Sequence, residues 1–302
     1  MKPTLVIILA LGMILIGFNS CDEETTDKVF GVLSDVLGDG DDASVLFGWL
    51  ENDENMDEIE SDINFGTQFG DGNLPSSINL LDKFPPVGNQ GAYGTCVAWA
   101  CGYNLKTYLE AVDQNRTASQ LSNTQYQFSP KDLFWSIPAG DKGDGCNGTG
   151  FESALDVMVS RGIATMSTVP YQSLGDCSSS PSSDWTNNAS QYKLENYRKI
   201  GSEGNMDITT LKTYLADGRA VVIGAQLGDN FMNWNSDAVI SSDTYLDPGM
   251  QHAYHAMILG GYNDSKSAFL VVNSWATSWG DDGFIWVDYD FFVDEFCFAA
   301  FV

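Results

Sequence analysis

The chain has 302 residues, and its side chains suited to nucleophilic and acid–base chemistry are few: two histidines, His252 and His255, and six cysteines. A cysteine attacks only as its thiolate, so a reactive one needs an electropositive setting or a base beside it. Cys96 has such a setting. It follows Pro86-Val87-Gly88-Asn89-Gln90-Gly91-Ala92-Tyr93-Gly94-Thr95, a loop whose three glycines allow a tight path. Apolar spacing from residue 96 to about 112 predicts a helix. That places Cys96 at a helix N-terminus, where open N–H groups and the dipole favour an anion. His255 opens an apolar run, 255–262, with strand character. His252-x-x-His255 lacks a third ligand at a convincing spacing, so no metal or other cofactor is expected. A third stretch, Val271-Val272-Asn273-Ser274-Trp275-Ala276-Thr277-Ser278-Trp279-Gly280-Asp281-Asp282-Gly283-Phe284, reads as a strand end, a turn and a second strand. Two Trp at a turn tip should pack over something.

Together these stretches resemble the papain family of cysteine peptidases, which uses a Cys, then a His, then an Asn far downstream. Gln90 precedes Cys96 by six residues, and Gly94-Thr95-Cys96 stands where that family has Gly-Ser-Cys. His255-Ala256, Gly261-Tyr262, Asn273-Ser274-Trp275, Trp279-Gly280 and Gly283-Phe284 follow its later signature, and Cys146-Asn147-Gly148 and Val169-Pro170-Tyr171 resemble two of its loops. The resemblance spans 76–302. It implies Cys96 as nucleophile, His255 as acid and base, Asn273 as the group orienting the imidazole, and Trp275 as a cover over the His–Asn bond. The Gln90 amide and the Cys96 N–H would hold the oxyanion. Thr149, Gly150, Phe151 and Ala256 would border a substrate pocket, and Trp279 the leaving-group side. The implied function is hydrolysis of peptide bonds through a Cys96 thioester. A retired peptide- or partner-binding surface protein on the same fold, and a transpeptidase or amidase, are the alternatives.

The chain departs from the family at several points. Tyr93 stands where the family has a disulfide Cys, Val97 where it has a Trp, Thr149 where it has a cleft glycine, and Tyr254 before the His. Cys101, Cys146, Cys177 and Cys297 remain and allow three complete pairings. The resemblance puts Cys146 and Cys177 in one lobe and favours that pair.

The elements that must position these groups follow from the same resemblance. It implies an α+β fold of two lobes: a helical one over 76–185 and a β-barrel-like one over 186–302, with the site in the cleft between them. Strand-rich stretches at 220–225, 268–273 and 284–288, besides 255–262, fit the second lobe.

Composition narrows the partners. Hydrophobic residues are 43% and aromatics 12%, which fits a folded domain. Lys and Arg number 14 against 41 Asp and Glu, a net charge of −27 that disfavours nucleic acid and electrostatic docking on anionic lipid. A peptide or protein substrate is the expected partner. Residues 22–75 hold sixteen of the acids against a single basic residue, Lys28. That segment reads as a solvated spacer or as a short pro-segment whose apolar clusters dock over a cleft.

Residues 1–20 read as an export signal, with Lys2 ahead of an apolar run from Leu5 to Phe18 that is too short for a membrane span. Cys21 after Phe18-Asn19-Ser20 resembles a bacterial lipoprotein processing site, which implies lipidation there. Asp22-Glu23-Glu24 resemble the surface-export signals of some Gram-negative lipoproteins. An outer-membrane or cell-surface lipoprotein is therefore expected.

Overall fold

A computed structural model describes residues 73–143, 147–177, 179–245 and 253–302. The helix expected after residue 96 is present. Cys96 and Val97 open it; Ala98–Lys106 is π-helical and Thr107–Asp113 α-helical, and together they form α1. Every residue of the π-helical stretch is buried, so α1 is the central rod of the helical layer rather than an amphipathic surface helix.

Around it stand α2 (Pro130–Ser136), α3 (Phe151–Ser160) and α4 (Ser183–Ala189). Ser129 caps α2 by accepting from Asp132 N–H, with Pro130 pre-set for the first turn. Asp132 is fully buried, yet its carboxylate is well supplied with donors. It accepts a fork of bonds from Arg161 at 2.8 and 2.9 Å and a third from Ala164 N–H at 2.7 Å. That charge pair ties α2 to the end of α3, and a buried carboxylate persists only with such partners. Trp185 of α4 packs on Trp135 at 5.1 Å, and Ala189 joins Ala164 and Val169 in a small cluster. The expected lobe division at residue 185 thus falls inside α4, a helix that packs with the helical layer.

The described strands form one sheet. Its strands are β1 (Ser77–Asn79), β2 (Lys199–Ser202), β3 (Val221–Leu227), β4 (Val239–Ile240), β5 (Ala253–Asn263), β6 (Ala268–Val272), β7 (Phe284–Asp288) and β8 (Cys297–Phe301), with α5 (Ile208–Ala216) between β2 and β3. The order is β2-β8-β3-β5-β6-β7-β4, with β1 added on the far half of β5. Neighbours are antiparallel except β4 and β7. The two ends of this path do not pair, so the barrel-like lobe expected from the resemblance is an open sheet.

The sheet separates two cores. Along β5, Ala256 and Ile258 face the helical core that includes Cys96, while Met257 and Leu259 face the second core. Val222 and Val221 divide in the same way on β3. That period of two is the pleat of a strand buried on both faces, and it explains the unbroken apolar runs in the sequence.

Candidate active site

One wall of the site is a loop. Gln90 N–H donates to Ser274 O at 2.8 Å, and Ala276 N–H to Gly88 O at 2.9 Å, so residues 88–90 lie antiparallel to the 274–276 turn. Gly91 then turns with φ +64°, open to a residue without Cβ. Gly94 passes so close to the backbone of residues 147–148 that a Cβ would lie 2.8 Å from Gly148 N. These two positions bring the chain back to start α1 at Cys96. The sulfur is fully buried and accepts from Ala256 N–H of β5 at 3.3 Å.

The other wall is sheet. The β5–β6 register pairs Ile258 with Val272, which brings Asn273, one residue beyond β6, alongside His255. His255 Nε2 and Asn273 Oδ1 are 2.7 Å apart. Ser274 N–H also donates to that oxygen at 2.7 Å. A backbone N–H only donates, so the Asn273 atom must be the carbonyl oxygen, and His255 Nε2 must carry the proton. The neutral ring therefore has its basic lone pair on Nδ1. Trp275 lies over the imidazole, with ring centroids 4.6 Å apart and planes 30° from parallel. His255 and Asn273 are both buried, and Trp275 is half-buried over them.

The Gln90 amide is fixed by similar logic. Its Oε1 accepts from Ser274 Oγ at 2.7 Å, and its Nε2 donates to Tyr93 O at 3.0 Å. A carbonyl only accepts, so the amide cannot be turned over. Nε2 keeps a second proton for another acceptor.

The sulfur is not a thiolate by virtue of its helix. N–H groups of Ala256, Val97 and Cys96 itself reach it and favour the anion, as expected. Burial outweighs them and pushes the thiol up to about 12 from its ordinary 9.0. Ionisation at neutral pH therefore requires a partner to take the proton, and the imidazole of His255, adjacent to Ala256, is the titratable base at hand.

The expected substrate-facing residues sit deeper than a cleft lining. Thr149 is buried and donates through Oγ1 to Asp141 O at 2.9 Å. Gly150 is the buried residue before α3. Phe151 packs on Phe301 at 5.2 Å, and Ala256 lies in the same core. Phe151 and Ala256 thus lie in the packed junction between sheet and helices. Trp279 is 6% exposed; its indole N–H donates to Phe231 O at 2.9 Å and it packs edge-on to Trp275 at 5.4 Å. It braces Trp275 from behind.

Cys21, Cys146 and His252 lie outside the described residues. Cys177 is disulfide-bonded, while Cys96, Cys101 and Cys297 are free and buried. Ser274 and Tyr171 hold the site although neither has a role that its residue type announces. Ser274 follows Asn273 directly, but its bond to Gln90 spans 184 positions and leaves no local signal.

A family model described as papain family cysteine protease matches residues 74–295. Peptidase 1 of the mite Euroglyphus maynei is 24% identical over 215 residues, covering 70% of this chain and 60% of that protein. Digestive cysteine proteinase 2 of Homarus americanus is 28% identical over 206 residues, 66% of this chain and 56% of that one. The chain thus spans less than two thirds of the length of these curated relatives. Among solved structures, xylellain, a cysteine protease from Xylella fastidiosa, superposes with a TM-score of 0.68 at 19% identity, covering 86% of this chain and 96% of that one. Bromelain from Ananas comosus gives 0.56 at 16% identity, covering 76% and 98%.

Proposed function

The chain belongs to the papain family of cysteine proteases, and from that premise we propose that it hydrolyses peptide bonds with Cys96 as nucleophile, His255 as acid and base, Asn273 as orienting group and Gln90 as oxyanion donor. The observation that carries this reading is the meeting of two distant segments. The Cys96 sulfur accepts from Ala256 N–H, and the neighbouring His255 has its Nε2 proton committed to Asn273.

The chemistry follows from the proton inventory. His255 Nδ1 takes the thiol proton, and the resulting imidazolium stabilises the thiolate that burial alone would suppress. The sulfur attacks the scissile carbonyl carbon, and the carbonyl electrons move to oxygen. Gln90 Nε2–H and Cys96 N–H donate to that oxyanion. Imidazolium then protonates the leaving amine as the C–N bond breaks, which leaves a thioester. The neutral ring takes a proton from water, hydroxide adds to the thioester, and the thiol departs. Asn273, being neutral, fixes the ring without adding a charge that would hold the proton elsewhere.

The leader at 1–20 and Cys21 support export and lipid anchoring, with 22–75 as spacer or pro-segment. Cys21→Ala would then move the protein out of the membrane fraction.

The test of the activity is direct. Cys96→Ala abolishes turnover of a fluorogenic peptide amide and covalent labelling by a thiol-directed epoxide. A wild-type protein that is never labelled and never cleaves would sink the reading.

A further inference from the structure

The two proposed oxyanion donors, Gln90 and Cys96, are separated by five residues of glycine-rich loop. Where the family carries a disulfide Cys in that loop, this chain has Tyr93. Something else must set the distance between the donors, and it is a tyrosine from a distant part of the chain. Tyr171, 75 residues beyond Cys96 in the chain, donates its phenol proton to Gln90 O at 2.9 Å. The same phenol oxygen lies 2.9 Å from Thr95 Oγ1. A phenol has one proton and a carbonyl only accepts, so the Thr95 hydroxyl donates to Tyr171. A relay thus runs from Thr95, next to Cys96, through Tyr171, to the main chain of Gln90.

The ring that delivers the phenol is itself held. Trp99, on the first turn of α1, meets it at 4.9 Å with planes at 75°, and Tyr93 meets it at 6.3 Å and 82°. Thr95 is fully buried. Burial also keeps the phenol above its ordinary ionisation range, so its single donor proton stays in place.

We infer that Tyr171 is a positioning residue, whose hydroxyl, with that of Thr95, fixes the Gln90 loop against the start of α1 and so keeps the two oxyanion donors in register. The inference rests on the peptidase reading above. It predicts a selective defect. Hydrolysis passes through an oxyanion, and so does a peptide aldehyde adduct, where the sulfur adds to the carbonyl carbon and the electrons move to oxygen. Alkylation of Cys96 by iodoacetamide displaces iodide at a saturated carbon and needs no oxyanion donor.

The experiment compares wild type with Tyr171→Phe, which keeps the ring, and Thr95→Val, which keeps the shape. Loss of one neutral hydrogen bond at the site predicts about a five- to tenfold fall in kcat for each, with KM within about twofold. Affinity for a peptide aldehyde falls by the same factor, while the rate of iodoacetamide alkylation stays at the wild-type value. The double variant loses no more than either single one, because the relay acts as a unit. Unchanged kcat and aldehyde affinity in Tyr171→Phe overturn the inference. So does an equal fall in hydrolysis and alkylation, which would mean that the cluster merely holds the helix. A wild-type protein that alkylates normally but hydrolyses nothing overturns the peptidase reading, and this one with it.

Discussion

The two walls of the site are held by different means. His255 and Asn273 sit on or beside strands held by ladders: β5 pairs with β3 over seven residues, from Val221 opposite Leu259 to Leu227 opposite Ala253, and on its other edge with β6 from Ile258 to Asn263, with one irregularity between Leu259 and Gly261. Any single bond there is one of many. Gln90 and Cys96 sit on a loop and at a helix start with no ladder behind them. Their geometry depends on a short set of individual bonds, from Gly88 and Gln90 to the 274–276 turn, from Ser274 to the Gln90 amide, and from Tyr171 to Gln90 and Thr95. The sheet wall is redundant and the loop wall is not. Losing one bond on the loop wall should therefore displace a group that the proposed chemistry needs, whereas the same loss on the sheet wall is shared among many.

The largest expected effect tests what the sheet wall supplies to the sulfur. On the proposed mechanism His255 accepts the thiol proton, so iodoacetamide should modify wild-type Cys96 at neutral pH. In His255→Ala no base takes the proton, and burial, offset only in part by the backbone N–H groups at the sulfur, holds the thiol up at about 12. Roughly one sulfur in 10⁵ is then ionised at pH 7. The alkylation rate at pH 7 should fall by at least about 10³-fold and rise continuously toward pH 12. A His255→Ala rate profile with its midpoint near the ordinary 9.0 would show that burial is not what controls the sulfur.

Next in size is a contrast between the walls. Gln90→Ala removes the proposed oxyanion donor and should lower kcat by about 10²–10³-fold while leaving alkylation close to wild type. Asn273→Ala removes a bond to a ring that becomes charged, a type of bond that contributes about 1.5–3 kcal/mol, so both hydrolysis and alkylation should fall by about 10- to 150-fold. Steady-state kinetics beside alkylation rates read the difference. If the two variants lose alkylation equally, the division of labour between the walls is wrong.

The sheet wall was also the more legible in sequence. Runs 255–262 and 268–273 announce strands because a pleat buried on both faces demands apolar residues at nearly every position, and 284–288 does so by the alternation of Ile285 and Val287, both buried, with half-buried neighbours. The observed β5, β6 and β7 begin or end within two residues of them. The proposed catalytic constellation stands out in the sequence because its members carry chemistry by residue type and follow a recognisable order. What holds the loop wall was not legible. Tyr171 and Ser274 act through single atoms on partners 81 and 184 positions away, and a Tyr or Ser has many ordinary uses. The Asp132–Arg161 pair is hidden for the same reason. The depth of Thr149 and Phe151 was missed because burial of a cleft residue depends on what the sheet brings against it, here Phe301 for Phe151.

The smallest expected effect asks whether the two regions also differ in stability. Cys101 of α1 lies in the helical core and Cys297 of β8 in the second core, and burial pushes both thiols up from the ordinary 9.0. A raised folded-state value means that the folded form keeps its proton where the unfolded chain has lost it. The associated stability is present in full below pH 9 and is lost as pH rises above it. By pH 10 each buried thiol should account for about 1.4 kcal/mol of lost unfolding free energy, and Cys101→Ala and Cys297→Ala should each recover that amount in urea titrations at pH 10 relative to pH 8. Equal recovery means both cores stay closed until the whole domain unfolds. If only Cys297→Ala recovers it, the helical layer admits water first, and the wall with fewer bonds is also the one that opens.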